Sequence, residues 1–371
     1  MLSCQAFFQV LWFIPLQPSC AFIDLSQSLS STAKYIGKAL HIVVYSSHEF
    51  IDEAKMPLDG IENEPLGAVP IVPIPFTSEE DIDEDILRVF IEHAVSTGLR
   101  AVCLPAYGSE FYKLSEAERD RVIQVAVDQA RKRLLVIAQS NHASARIAGE
   151  IARRSAGAGA DIISFAVPRL FSIPDADIVN YVSTLLKSVN LPFLLQDFNP
   201  GGPTVHPKLV AELNNRCGNL RYLKLEEPIM APKIRAILQE TEGRVEVLEG
   251  WGGLYVLELT PAGISGLMPG LALADVLHRV FLLRRAGLAA EAFSIFEKVL
   301  PQIVFSLQNM ELYLYCEKRL LMARGLGKNE IRRSASYTPD TDSVNYVEEL
   351  NDRILEAIDQ LAPYAVPTDV S

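Results

Sequence analysis

Paired cysteines are missing from this chain, and so is any histidine cluster. The five cysteines, Cys4, Cys20, Cys103, Cys217 and Cys316, are widely spaced, odd in number and include no C-x-x-C pair. That pattern excludes a disulfide framework and a cysteine zinc site, and it fits reduced thiols in a cytoplasmic protein. The six histidines, His41, His48, His93, His142, His206 and His278, show no metal-ligand spacing. No metal and no cofactor is therefore expected. Basic charge is also in short supply: 34 Lys and Arg stand against 46 Asp and Glu, a formal net charge of −12. This argues against a nucleic-acid partner, which calls for a basic patch, but leaves room for a small anionic substrate held by a few local donors. No apolar run is long enough to span a bilayer as a helix. Phe7 to Leu16 has signal-peptide length and Pro18-Ser19-Cys20-Ala21 resembles a cleavage region, yet Met1 to Gln5 carries no Lys or Arg. Residues 1–60 read as a poorly ordered appendage outside the main fold, with Met56 as a candidate functional start.

What is present is regular. The 371 residues are 49% hydrophobic and 22% charged, the composition of a globular chain with a large core. From about residue 67, short apolar runs alternate with amphipathic stretches of helical length. The runs begin at Ala68, Ala101, Leu134, Asp161, Pro192, Leu220, Val245 and Gly263, which makes eight. Continuous apolar runs are what parallel strands buried on both faces require. Helical patterns lie between them, among them Asp83 to Val95, a stretch opened by Ser115 with Glu118 three residues on, and His142 to Ala158. Gly252 to Thr260 has the weakest helical pattern. Eight strands alternating with helices predict a TIM (β/α)8 barrel over residues 61–286. The competing doubly wound sheet would carry a glycine-rich turn after its first strand, where this chain has Pro73-Ile74-Pro75-Phe76-Thr77. Residues 287–371 read as a C-terminal helical subdomain packed on the barrel. There is no internal repeat and no low-complexity tract.

One lysine carries most of the chemical information. In Leu220-Arg221-Tyr222-Leu223-Lys224-Leu225-Glu226, Lys224 sits between apolar neighbours near the end of the sixth strand. Burial of an ammonium favours loss of its proton, and a neutral amine can form a Schiff base with a carbonyl. Strand side chains alternate, so Glu226 faces the same way as Lys224. A buried ion pair or an exposed strand end is the competing reading.

Barrel chemistry sits at the C-terminal ends of the strands, and other polar groups fall there. After strand two, the small residues of Ala106-Tyr107-Gly108-Ser109-Glu110 either let backbone N–H groups approach an anion or form an ordinary turn. Arg169 after strand four either binds a carboxylate or lies on the rim. Gln196 and Asp197 end strand five. Gly266-Leu267-Met268-Pro269-Gly270 after strand eight is a pocket floor or only a turn.

With these residues in place, the region from about 67 to 325 resembles the family of dihydrodipicolinate synthase and N-acetylneuraminate lyase. The segment Ala106 to Arg119 is similar to the family's G-S/T-T-G-E, L-S, E-R motif, and the run around Lys224 to its strand-six lysine motif. Departures accompany the likeness. Gln196 stands where better-known members have a proton-relaying tyrosine, and an amide does not titrate. Tyr107 and Gly108 replace two threonines. The arginine expected after the strand-five motif is not apparent in Gly201-Gly202-Pro203-Thr204. The strand-five Q-D, the K-L-E-x-P run and the G-x-M-P-G turn are together similar to a branch acting on 2-keto-3-deoxy sugar acids, which includes 2-keto-3-deoxyarabonate dehydratase.

The resemblance implies a Schiff-base lyase acting on a small 2-keto acid. Lys224 would condense with the C2 ketone, Glu226 would move the C3 proton, and Tyr107 would relay protons or merely pack. Gly108 and Ser109 would hold the substrate carboxylate, with Gln196, Arg169 and Met268 also lining the site. It also implies a homo-oligomer, a dimer or tetramer, in the cytoplasm. Two alternatives stay open: a synthase condensing pyruvate with an aldehyde, and a barrel that has lost catalysis and only binds.

Overall fold

The computed structural model describes residues 64–169, 173–199 and 202–361. The N-terminal appendage and Pro200-Gly201 of the strand-five motif lie outside the described residues. The strands are β1 Gly67–Ala68, β2 Ala101–Leu104, β3 Leu135–Gln139, β4 Ile162–Ala166, β5 Phe193–Phe198, β6 Leu220–Glu226, β7 Glu246–Glu249 and β8 Gly266–Leu267. All neighbours run parallel, in the order β1-β8-β7-β6-β5-β4-β3-β2. A parallel bridge between Ile71 and Cys103 joins the two ends of that order. The predicted TIM barrel is the observed fold.

The first strand is much shorter than the predicted run from Ala68 to Ile74. Pro70, Pro73 and Pro75 have no N–H to donate, so a regular ladder stops after two residues. The backbone still holds the barrel closed there, through Cys103 N–H to Pro70 O at 2.9 Å and Val72 N–H to Cys103 O at 3.0 Å.

The helices are α1 Glu84–Ser96, α2 Glu116–Ala130, α3 Ala145–Gly157, α4 Asp175–Leu186, α5 Pro207–Cys217, α6 Met230–Glu240, α7 Val256–Leu259 and α8 Leu271–Arg285 around the barrel, then α9 Ala289–Ser306, α10 Met310–Ala323 and α11 Thr341–Leu361. Ser115 caps α2 in the predicted reciprocal box with Glu118. The weak seventh helix is one turn followed by a 3-10 turn at Thr260–Ala262.

Side-chain alternation sorts the sheet into two layers. Leu223, Leu225, Leu195 and Val247 face out and join the core under the helices. Cys103, Ile137, Ile162, Leu194, Leu248 and Met268 face in, with Leu135 and Tyr222, and fill the barrel. By the same alternation Lys224 and Glu226 follow Tyr222 inward, Gln196 follows Leu194, and Gln139 follows Ile137. Among the described residues no helix is long and apolar enough to cross a membrane.

Candidate active site

Lys224 and Glu226 meet at the top of the barrel. Nζ of Lys224 lies 3.0 Å from Oε1 of Glu226, and both side chains are about nine-tenths covered. β5 and β6 pair so that Gln196 lies opposite Lys224 and Phe198 opposite Glu226. From that position Gln196 donates its Nε2–H to the second carboxylate oxygen of Glu226 at 2.8 Å. Behind it, Gln139 at the end of β3 donates to Gln196 Oε1 at 3.1 Å. The carboxylate is thus gripped on one oxygen by the lysine and on the other by an amide.

Neighbouring groups respond to this pair. Burial pushes the Cys103 thiol up to about 12, with the Lys224 charge pulling the other way, so this cysteine stays protonated. Burial and then the Glu226 charge raise the Tyr107 phenol above its ordinary value. Tyr107 is therefore a neutral hydroxyl within electrostatic reach of Glu226, its ring edge-on to Phe111 at 5.0 Å.

The turn after β2 is a pair of 3-10 turns, Tyr107–Ser109 and Phe111–Lys113. Ser109 is fully engaged in holding it. Its N–H donates to Ala106 O at 3.0 Å and its hydroxyl to Val72 O at 2.6 Å. Gly108 lies against the wall, where a Cβ would come within 3.0 Å of both Ile71 and Tyr313. A side chain here would press on both.

Arg169 does not project freely into the barrel mouth. Its guanidinium grips the buried carboxylate of Asp197 with two bonds of 2.9 and 2.7 Å, and Asp197 also accepts from Val205 N–H at 2.7 Å. Met268 packs inside the barrel, and its N–H donates to Glu249 O at 2.8 Å. Glu249 is within electrostatic reach of the lysine but is held by backbone donors. Its carboxylate accepts from Trp251 and Gly253 N–H at 3.0 and 2.7 Å, and burial pushes it up to about 7.

The geometry therefore brings Lys224, Glu226, Gln196 and Tyr107 together, and leaves Arg169 and Ser109 bound to other parts of the fold. Sequence reasoning missed Gln139 and Phe198. The predicted third run stopped at Ala138, one residue early; extending its alternation would have turned Gln139 inward. Phe198 continues the inward set of β5 and stands half-exposed at the mouth beside Glu226.

The chain is 22% identical over 241 residues to the L-2-keto-3-deoxyarabonate dehydratase of Azospirillum brasilense, covering 64% of this chain and 78% of that one. It is 26% identical over 240 residues to the 4-hydroxy-tetrahydrodipicolinate synthase of Syntrophus aciditrophicus, covering 64% and 81%. The crystal structure of dihydrodipicolinate synthase from Rhodopseudomonas palustris superposes with a TM-score of 0.72 at 24% identity, over 78% of this chain and 97% of that one. The model of the dihydrodipicolinate synthetase family matches residues 64–348. That match runs from before β1 into the first turns of α11, and the chain is a lyase belonging to the dihydrodipicolinate synthetase family.

Proposed function

We propose that the protein is a Schiff-base lyase that dehydrates, or cleaves by retro-aldol reaction, a 2-keto-3-deoxy sugar acid. The observation that supports this reading is the 3.0 Å contact between Lys224 Nζ and Glu226 Oε1 inside the barrel mouth. Glu226 takes a proton from the lysine, and the free amine attacks the C2 carbonyl. Through Glu226 both this proton and one from the attacking nitrogen reach the carbinolamine oxygen, which leaves as water and forms the iminium. The iminium draws electrons from C3–H, and the carboxylate, again free, removes the C3 proton to give an enamine. Delivery of that proton to the C4 hydroxyl releases a second water. Hydrolysis of the conjugated iminium returns the 2-keto product and the free lysine. One carboxylate, alternating between base and acid, accounts for every proton.

Gln196 cannot share this work, since an amide donates hydrogen bonds without titrating. Tyr107 is a hydroxyl that can hold a proton or a water beside the C4 oxygen. The substrate carboxylate belongs at the Tyr107–Ser109 turn, with the Gly108 amide as the donor there, because the Ser109 amide is already bonded to Ala106 O. Retro-aldol cleavage begins at the same iminium and differs in removing the C4 hydroxyl proton instead of the one on C3. A dimer or tetramer of this chain, in the cytoplasm, completes the reading.

Borohydride reduction in the presence of candidate acids tests it. A 2-keto-3-deoxypentonate should leave a reduced adduct on Lys224, found by peptide mass, and turnover without borohydride should yield the dehydrated acid or pyruvate plus an aldehyde. An adduct with pyruvate alone, with condensation onto an added aldehyde and no turnover of the sugar acid, would point to the synthase alternative. An adduct persisting in Lys224→Ala would refute the reading.

A further inference from the structure

We infer that Gln139 is a positioning residue for the proton transfer, acting through Gln196 on Glu226; this rests on the Schiff-base reading above. Both amides are buried, Gln139 to 1% and Gln196 to 4% exposure, so water does not decide how they turn. The direction of the chain follows from donor and acceptor chemistry. An ionised carboxylate only accepts, so Gln196 must turn its NH2 toward Glu226 to make the 2.8 Å bond. Its oxygen then necessarily points back at Gln139, which must in turn present its own NH2 across 3.1 Å. If Gln196 were reversed, its oxygen would face a carboxylate oxygen, and its NH2 would face the NH2 of Gln139. Both contacts would be repulsive.

Gln139 is itself held for the task. Its backbone carbonyl accepts from Arg119 at 3.3 Å, and the same guanidinium nitrogen reaches Asn141 O at 3.4 Å. Its side-chain oxygen has no hydrogen-bond partner among the described residues, so the bond to Gln196 is what sets how this amide turns. Gln139 thus donates to the Gln196 oxygen and steadies that amide from behind, and Gln196 steadies the Glu226 carboxylate while Lys224 occupies the other oxygen. Without Gln139 the lysine contact and the Gln196 donor remain, but the Gln196 amide loses the partner on its oxygen and holds the carboxylate less firmly. Iminium formation would then persist while C3 proton removal suffers, because proton transfer depends steeply on angle and distance.

Pyruvate is the probe, since its iminium can lose and regain methyl protons without further chemistry. Two readouts are taken on the full chain: the extent of borohydride-trapped pyruvate on Lys224, by mass, and the rate of methyl H/D exchange, by NMR. In Gln139→Met, which keeps volume and removes the donor, the trapped adduct should stay within about twofold of wild type while exchange falls about tenfold or more. Gln139→Leu should behave alike. Equal loss of both readouts, no loss of either, or failure of both variants to fold would make Gln139 a packing residue and overturn the inference. A wild type that traps no keto acid at all would instead sink the Schiff-base reading beneath it.

Discussion

Oε1 of Glu110 lies 2.6 Å from Nζ of Lys318, 208 residues further along the chain. Both side chains are almost wholly buried. Lys318 also donates to Ile331 O at 2.6 Å and stands over the Phe76 ring at 4.7 Å. Glu110 takes a second cation, Lys113, on its other oxygen at 3.0 Å, and Lys113 continues to Glu311 at 2.7 Å. Glu110 adopts a left-handed backbone, φ 59°, between the 3-10 turn that carries Tyr107 and Gly108 and the one at Phe111–Lys113. The ion cluster therefore fastens the turns after β2 to α10, and gives the C-terminal helices a part in shaping the candidate site.

Removing one member of such a cluster leaves a buried charge under-compensated. Lys318→Met should cost about 3 kcal/mol in urea unfolding, while Lys318→Met with Glu110→Gln should recover most of that loss. The single variant should also weaken substrate binding, seen as a raised KM, because the turn loses its anchor. If the double variant were less stable than the single one, the cluster would not be the anchor described.

How much of this was legible beforehand differs by residue. The strands were visible because parallel strands covered on both faces must be apolar throughout, and Lys224 stood out against that background. Glu226 followed from alternation alone. The Gln139–Gln196 contact did not, because it depends on how β3 and β5 are brought together by barrel closure, which no local pattern encodes. Arg169 was visible as a charge at a strand end, but its grip on Asp197 depends on the β4–β5 register. Nothing along the chain pairs Glu110 with Lys318; only the return of α10 to the barrel top does. The overlong first strand has a plainer cause, since β-branched residues suggested a run that the prolines among them cannot hydrogen-bond.

Glu317 predicts a pH effect on stability. It is buried against α8, where it accepts from Ala272 N–H at 2.7 Å. Burial raises it from 4.5 to about 7, although its backbone bond and Arg324 pull it down. Between those values the folded chain binds more protons than the unfolded one, so this group lowers stability as pH rises from 4.5 to about 7. Glu317→Gln keeps an acceptor for Ala272 and never ionises. Calorimetry should find the variant more stable than wild type at pH 8, by about 3 kcal/mol at most, with the gain fading at pH 4.5. An equal shift at both pH values would contradict this assignment.

His278 works in the opposite direction. Its Nδ1 accepts from Ala68 N–H at 3.1 Å, which joins α8 to β1 and requires the neutral ring. Burial lowers it from 6.5 to about 4. The unfolded chain therefore binds the extra proton across that window, and the stability it contributes is lost as pH falls from 6.5 towards 4. His278→Asn, whose carbonyl oxygen can replace Nδ1, should start less stable at pH 7 because volume is lost. It should then fall less steeply with acid, by about one proton in the pH dependence of unfolding free energy. Parallel curves for the two proteins would show that His278 does not titrate on unfolding.

Gly250 separates activity from stability most directly. It follows β7, and a Cβ there would lie 2.3 Å from Cγ of Glu226 and 3.0 Å from Leu225 O. The carbonyl belongs to a ladder, since Gly250 N–H donates to it at 3.0 Å, so the backbone resists moving. The Glu226 side chain must give way instead, and in doing so it leaves Lys224, Gln196 or both. Displacing a proton-transfer group by about 1 Å can cost on the order of a hundredfold in rate. Gly250→Ala should therefore lower pyruvate H/D exchange by one to two orders of magnitude, roughly, while the thermal midpoint moves by only a few degrees. Near-normal exchange in a folded Gly250→Ala would mean that the carboxylate tolerates displacement, and that the contact with Lys224 is not what sets the rate.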